Sequence, residues 1–319
     1  MKNVAFLIVL LLFFSACNDD NQLENEISKI DVDVTIERFD LAYANAEPND
    51  LPKLKQDYPF LFSERIPDSV WVERMRDTLQ HELSGEVKST FSNFSKEEDA
   101  IVSLFQHLKY YDPSFREPRV ITVTSDVDYR NKTIVTDTIV LISLDTYLGS
   151  DHHFYEGIQK FLTQNMKRSQ IVSDLAANYA EHYILQDKPA TLLDDMVYFG
   201  KQLYFKDKMI PFVSDADKIG YSESQLEWAR ANESEIWRYF IERELLFSTD
   251  NTLASRFIAD APFSKFYLEL DSESPGRLGQ YIGWQIVRAY MNNNDVPLME
   301  MLQKNADDIF NKSKFKPRK

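Results

Sequence analysis

The chain of 319 residues holds five histidines, His81, His107, His152, His153 and His182, and a catalytic metal of the peptidase type would start from these. A zinc peptidase of the HExxH kind needs two His four apart on one helix face, with a Glu after the first as general base. His81-Glu82-Leu83-Ser84-Gly85 has the first half of that pattern and ends on glycine where the second His belongs. His152-His153 with Glu156 offers imidazole and carboxylate at helical spacing, a set that equally caps a helix start. Around His182 the window reads Asn178-Tyr179-Ala180-Glu181-His182, with Asn in place of the first His and Tyr in place of the Glu. Asn is a poor zinc ligand, and a phenol that titrates at about 10 is no base near neutral pH. His182 then reads as a core-edge histidine hydrogen-bonded by its neighbours, or as what is left of a zinc motif.

Other chemistries find less support. There is no G-x-S-x-G elbow, no P-loop and no dinucleotide-binding glycine pattern, and the chain has only eight Gly. Three of them, Gly276, Gly279 and Gly283, share one face if Ser274 to Asn292 is a helix. Each would cost ~1 kcal/mol against Ala in a helix interior. Close approach of another helix would compensate; a ligand lying on the bare backbone is the alternative. On the segment Ser222 to Phe247, Glu233 and Glu244 fall on the apolar stripe of Leu226, Ala229, Ile236, Phe240 and Phe247. A buried carboxylate needs a partner. Arg277 and Arg288 are the expected ones, either as an ion pair fixing helix register or around a catalytic carboxylate.

The elements that would position these residues can be read from apolar periodicity. Ile30, Val32, Val34 and Ile36 alternate with polar residues, as in a strand. Ser69 to Val87 and Lys96 to Tyr111 carry helical spacing. Arg119 to Ser125 and Thr138 to Leu144 are rich in Val, Ile and Thr, with Asn131-Lys132 in the turn region between, and predict an antiparallel hairpin. Beyond Tyr155 helices dominate, at Ser169 to Leu185, Thr191 to Phe205, Ser222 to Phe247 and Ser274 to Asn292. Ser222 with Gln225 forms a capping box, and Ser274-Pro275 reads as an N-cap followed by Pro at N1. No Pro/Gly-rich linker divides the chain. The expectation is one predominantly helical α+β domain over 30–319, with a small N-terminal β-sheet.

Lys2, the apolar run Val4 to Phe14 and Ser15-Ala16-Cys17 make a secretory signal over residues 1–16, too short to span a bilayer. Phe14-Ser15-Ala16-Cys17 resembles the lipobox of bacterial lipoproteins, so the one cysteine of the chain, Cys17, is the expected lipidation site. The polar stretch 17–29 reads as a flexible tether. A net charge of −15 argues against nucleic acid as a partner.

Five further stretches carry a resemblance when taken together. They are Ile142-Ser143-Leu144-Asp145-Thr146-Tyr147-Leu148-Gly149; Gly200-Lys201-Gln202-Leu203-Tyr204-Phe205; Ile219-Gly220-Tyr221-Ser222; Asn232-Glu233-Ser234-Glu235-Ile236-Trp237; and Ser274-Pro275-Gly276-Arg277 through Gly283-Trp284-Gln285-Ile286-Val287. Their order and spacing behind a lipobox resemble the gliding-motility lipoprotein GldB family of Bacteroidetes. The resemblance implies a role in gliding motility and in envelope machinery linked to type IX secretion, with other envelope proteins as partners. It also implies a zincin-like scaffold, in which the helix Ser169 to Leu185 would carry the zinc motif and the residue at Phe199 would be a third ligand. Asn178, Tyr179 and Phe199 all depart from that set. The reading that follows is a membrane-tethered, non-enzymatic component without cofactor. An active zinc-dependent hydrolase using His182, and a lipoprotein that binds peptide or glycan without cutting it, are the alternatives.

Overall fold

The computed structural model describes residues 21–318 apart from 186, 187, 189 and 270. Cys17 lies outside them. In chain order the elements are α1 (21–27), β1 (Ile36–Arg38), α2 (Phe39–Ala44), α3 (Leu51–Asp57), α4 (Asp68–Arg74), α5 (Thr78–Thr90), α6 (Ser95–Tyr111), β2 (Arg119–Val123), β3 (Thr133–Val135), β4 (Ile139–Ser143), α7 (Lys160–Thr163), α8 (Ile171–Tyr183) and α9 (Leu192–Met209). They continue with α10 (Asp215–Ile219), α11 (Glu223–Ala231), α12 (Glu233–Glu242), α13 (Thr252–Phe257), α14 (Leu278–Asn293), α15 (Leu298–Leu302) and α16 (Ala306–Ser313). The chain is predominantly helical with one small sheet, as its periodicity predicts. Among the described residues no helix is long and apolar enough to cross a membrane.

The sheet has the order β1-β2-β4-β3. β2 pairs parallel with both β1 and β4, and β3 runs antiparallel to β4 at the edge. The expected hairpin between the two Val/Ile-rich segments is therefore wrong: those segments are parallel neighbours. The chain leaves β2, passes β4, and returns through the hairpin β3–β4. Asp145, buried just after β4, explains the detour. Its carboxylate accepts the backbone N–H groups of Ser125 at 3.0 Å and Val127 at 2.7 Å, which folds the 124–132 loop over the strand ends. Burial raises its carboxyl pKa, and those N–H donors oppose the shift.

β2 is apolar on both faces because helices cover both. Ile121 joins Phe39, Leu51, Leu54, Phe62 and Met75 in a small cluster under α2–α4. Val120, Val140 and Ile142 face the large core formed with α6, α8, α9 and α14. In that core α9 lies against α14, where Gly200 and Gly283 let the two backbones meet.

Several boundaries differ from the periodic reading, each for a local reason. Of the segment Ile30 to Ile36 only Ile36 is in a strand; 31–35 is irregular, with Gln106 Nε2 donating to the Ser28 and Ile30 carbonyls and Lys109 Nζ to the Asp31 carbonyl. The helix expected over Ser69 to Val87 is two, because Asp77 caps α5 by accepting the Gln80 N–H. Ser222 to Phe247 is also two helices: Asn232 turns its amide back onto the Trp228 carbonyl at 2.8 Å and ends α11. The Ser222–Gln225 capping box is present. Ser274-Pro275 does not cap α14. That helix starts at Leu278 after Arg277 in the left-handed region, and its first N–H donates to Ser264 Oγ at 3.1 Å. Within the stretch read as tether, Ile27 of α1 is buried and Glu24 reaches His107 at 3.2 Å, so the docked part of the chain begins earlier than its composition indicates.

Candidate functional site

Helix α8 carries the window expected to hold a metal. Its apolar face, Ile171, Val172, Leu175, Ala176, Tyr179 and Ala180, is buried in the large core. Its other face lies along the edge strand β3. There Asn178 Nδ2 donates to the Thr133 carbonyl at 2.9 Å and to Thr133 Oγ1 at 2.8 Å, fastening helix to strand. Tyr179 points the opposite way, among Phe105 and Phe115 with ring centroids 6.0 and 5.9 Å from its own. Burial drives its hydroxyl pKa far up, and that oxygen finds no hydrogen-bond partner among the described residues. His182 is exposed, edge-on to the Tyr179 ring. Phe199 sits on α9 in a separate hollow of about 340 Å³ with Leu185, Tyr198 and Lys304.

The zinc that the resemblance implies does not fit this arrangement. A HExxH centre needs the side chains at 178 and 182 to converge with a third ligand, and a carboxylate at 179 to face the metal. Here the amide at 178 is committed to β3, the side chain at 179 is turned into the core, and Phe199 has no donor atom. Among the described residues no group of three or more His, Asp or Glu is placed to hold a metal. His152 and His153 stack at 4.5 Å and pair separately with Glu86 and Glu82 of α5 at 3.4 and 3.3 Å.

The glycine stripe has a packing partner. A methyl on Gly283 would overlap the backbone carbonyl of Met196, and one on Gly200 the backbone of Gly283. Gly279 faces Phe257 and Ile258; Gly276, which precedes the helix, faces the Ala261 carbonyl. Glu233 is buried as its place on the stripe implies, but neither expected arginine meets it. It accepts the Tyr281 hydroxyl at 2.7 Å and the Arg318 backbone N–H at 2.9 Å, so it ties the C-terminal tail to α14. Arg288 instead bridges Asp207 and Asp215, at 2.7 and 2.9 Å, with its guanidinium 3.7 Å from the centre of the Trp284 ring. Burial opposes ionisation of Asp215, yet Arg288 holds its carboxyl below the usual carboxylate range. Glu244 lies past the end of α12, exposed and with positive φ, and is not a buried carboxylate.

A polar cleft of about 560 Å³ opens where the 124–132 loop, the start of α8, α9, the end of α10 and the start of α14 meet. Five cations line it, Arg130, Lys132, Lys206, Lys218 and Arg277, against two carboxylates, Asp174 and Asp260. Asp174 Oδ2 accepts from both Lys132 and the buried Tyr147 hydroxyl, the latter at 2.8 Å. Arg277 donates to the Gly220 carbonyl at 3.0 Å and lies 3.3 Å from Asp260. Lys206 is 8% exposed and donates to Ser173 Oγ at 3.0 Å and the Lys218 carbonyl at 2.9 Å. Burial pushes its ammonium down to about 8; Asp174 opposes this, while Arg277, Lys132 and Lys218 add to it. Of its lining, Arg277 alone is among the contact positions expected from the sequence; a second signal is Lys206 on the stripe of Leu203 and Met209, a charge where the helix period calls for an apolar residue.

No curated protein and no solved structure matches the chain. A family model described as gliding motility protein GldB matches residues 20–317, nearly the whole sequence and every element described above. By that match the chain belongs to the gliding motility protein GldB family.

Proposed function

We propose that this chain serves gliding motility as an envelope component anchored through lipid on Cys17, and that it acts by holding other envelope proteins and not by peptidase chemistry. The observation that carries the second half is the commitment of helix α8. The residues that would make a zinc peptidase there are fastened to a strand (Asn178), packed in the core (Tyr179) or without donor atoms (Phe199). A peptidase-derived, zincin-like scaffold is supported by α8 lying along an antiparallel edge strand, whose Thr133 carbonyl is occupied by Asn178. A docking role is supported by Phe247, Tyr267 and Leu268, apolar side chains each more than half exposed.

Complementation of a deletion in a gliding host tests this. Spreading of the colony is expected to vanish on deletion, to return with the wild-type chain and with His182→Ala, and to stay absent with Cys17→Ser. Normal spreading of the deletion strain would remove the motility role. Failure of a well-expressed His182→Ala variant would replace docking with metal chemistry.

A further inference from the structure

Lys206 presents a physical anomaly that its surroundings do not resolve. A buried ammonium normally faces a carboxylate, because desolvating it unpaired costs several kcal/mol. Both hydrogen-bond acceptors of Lys206, Ser173 Oγ and the Lys218 carbonyl, are neutral. No described carboxylate lies within 4.0 Å of its nitrogen. Asp174, the acid whose charge acts on it, already has one oxygen committed to Lys132 and Tyr147. An ammonium has three N–H donors, so one remains for the cleft. Arg277 likewise keeps guanidinium donors beyond those on Gly220 and Asp260. Lys218 turns its ammonium to Asp207 at 3.1 Å, which leaves Arg130, Lys132, Lys206 and Arg277 against Asp174 and Asp260; this excess of two positive charges stands in a chain whose net charge is −15, so it is a local feature and not the general character of the surface.

We propose that this cleft binds an oxyanion, a carboxylate or phosphate borne on a larger polar molecule, between Lys206, Lys132 and Arg277. An oxyanion there would supply the counter-charge that Lys206 lacks and would accept bidentate hydrogen bonds from the guanidinium. The volume falls in the range of small-molecule sites and exceeds what an isolated phosphate fills. The amides of Asn165 and Gln170 line the remainder and suit polar groups next to the charge. This inference stands on the cleft alone and holds or fails independently of the motility role.

The test is calorimetric titration of the full chain in detergent with three probes: inorganic phosphate, trialanine with a free C-terminus, and trialanine amide. Binding of phosphate or of free trialanine is expected, with the amide at least tenfold weaker than the free acid if the carboxylate is the ligand group. Lys206→Met, checked for folding by circular dichroism, is expected to weaken the bound probe fivefold or more. If that variant does not fold, Lys132→Gln, at the mouth of the cleft, decides by the same fivefold criterion. Phosphate binding alone would point to a phosphate-bearing ligand, and free trialanine alone to a carboxylate-bearing one; either supports the proposal. No binding of either anion, equal binding of acid and amide with none of phosphate, or a change below fivefold in the deciding variant would overturn it.

Discussion

Replacing Gly283 by alanine sets two effects of opposite sign against each other, and the structure decides between them. In an unobstructed helix interior the change would stabilise by ~1 kcal/mol, because alanine loses less backbone freedom on folding. At position 283 the new methyl would fall on the Met196 carbonyl and within 3.0 Å of the Met196 Cα. The obstacle is backbone inside a helix, so no side chain can swing away. Relief requires α14 to move off α9, and Gly200 faces Gly283 across the same contact. Parting packed surfaces by even ~0.5–1 Å forfeits a quarter to a half of each pairwise attraction. Overpacking of this kind costs ~1–3 kcal/mol and more where the backbone must shift. The net expectation is a loss of at least ~2 kcal/mol. Gly85 is the control: it lies in α5, is exposed, and has nothing within 4 Å of a built methyl. Gly85→Ala is expected to stabilise by ~0.5–1 kcal/mol. Urea unfolding followed by circular dichroism reads both, with the slope compared to detect a change in the states themselves. A Gly283→Ala variant as stable as the wild type, at an unchanged slope, would refute the close-contact reasoning.

Arg288→Ala should cost ~1–3 kcal/mol: Asp207 keeps Lys218 at 3.1 Å and Asp215 keeps Arg230 at 3.0 Å, but the guanidinium that bonds both carboxylates and covers the Trp284 ring is lost; thermal unfolding would register this as a drop of a few degrees. Lys206→Met should change stability in a pH-dependent way. The folded-state ammonium titrates at about 8, below its unfolded value of 10.5, so the penalty for its charge is full below pH 8 and fades as pH rises towards 10.5. The stability of the variant relative to wild type is therefore expected to fall by up to ~3 kcal/mol between pH 7 and 10. A difference that is flat across that window would show that Lys206 is not desolvated. Buried phenols such as Tyr221, whose pKa burial raises, act oppositely: they favour the folded state through pH 10 and lose that contribution only as they ionise above it. Rebuilding the motif with Asn178→His and Tyr179→Glu should not create a zinc site; it should unfold the chain by ~3 kcal/mol or more, by placing a carboxylate among Phe105 and Phe115. Zinc-induced stabilisation of that variant would contradict the placement of Tyr179.

The parts of this fold legible in the sequence are those set by local rules. The Ser222–Gln225 box marks the start of α11, and the helix expected from Thr191 does begin there, where the Thr191 hydroxyl accepts the Asp194 N–H. The glycine spacing marks a close backbone contact but cannot name the partner, which is α9 through Met196 and Gly200. Strand pairing was misread because the decisive interaction is non-local: Asp145, beyond the last strand, anchors the loop that carries the chain past β4 to the edge. The partners of Glu233 were misassigned for a similar reason. Tyr281 and the tail at Arg318 come to it through tertiary packing, over sequence separations that no helical period encodes. The departures at Asn178, Tyr179 and Phe199 were visible as residue types. What the structure adds is their directions: one towards β3, one into the core and one into a hollow on α9. The basic cleft was hidden because its cations come from four separate segments, with Lys206 alone breaking an apolar stripe.

The central claim is that this member of the gliding motility protein GldB family works without a metal on helix α8. Its most direct test is the zinc content of the full chain, purified in detergent without chelator, loaded with zinc, desalted and assayed by mass spectrometry. Less than about a tenth of a zinc per chain is expected, since Asn178 and Tyr179 are committed elsewhere. One tightly held zinc per chain, lost in His182→Ala, would contradict it and make the protein a metallohydrolase.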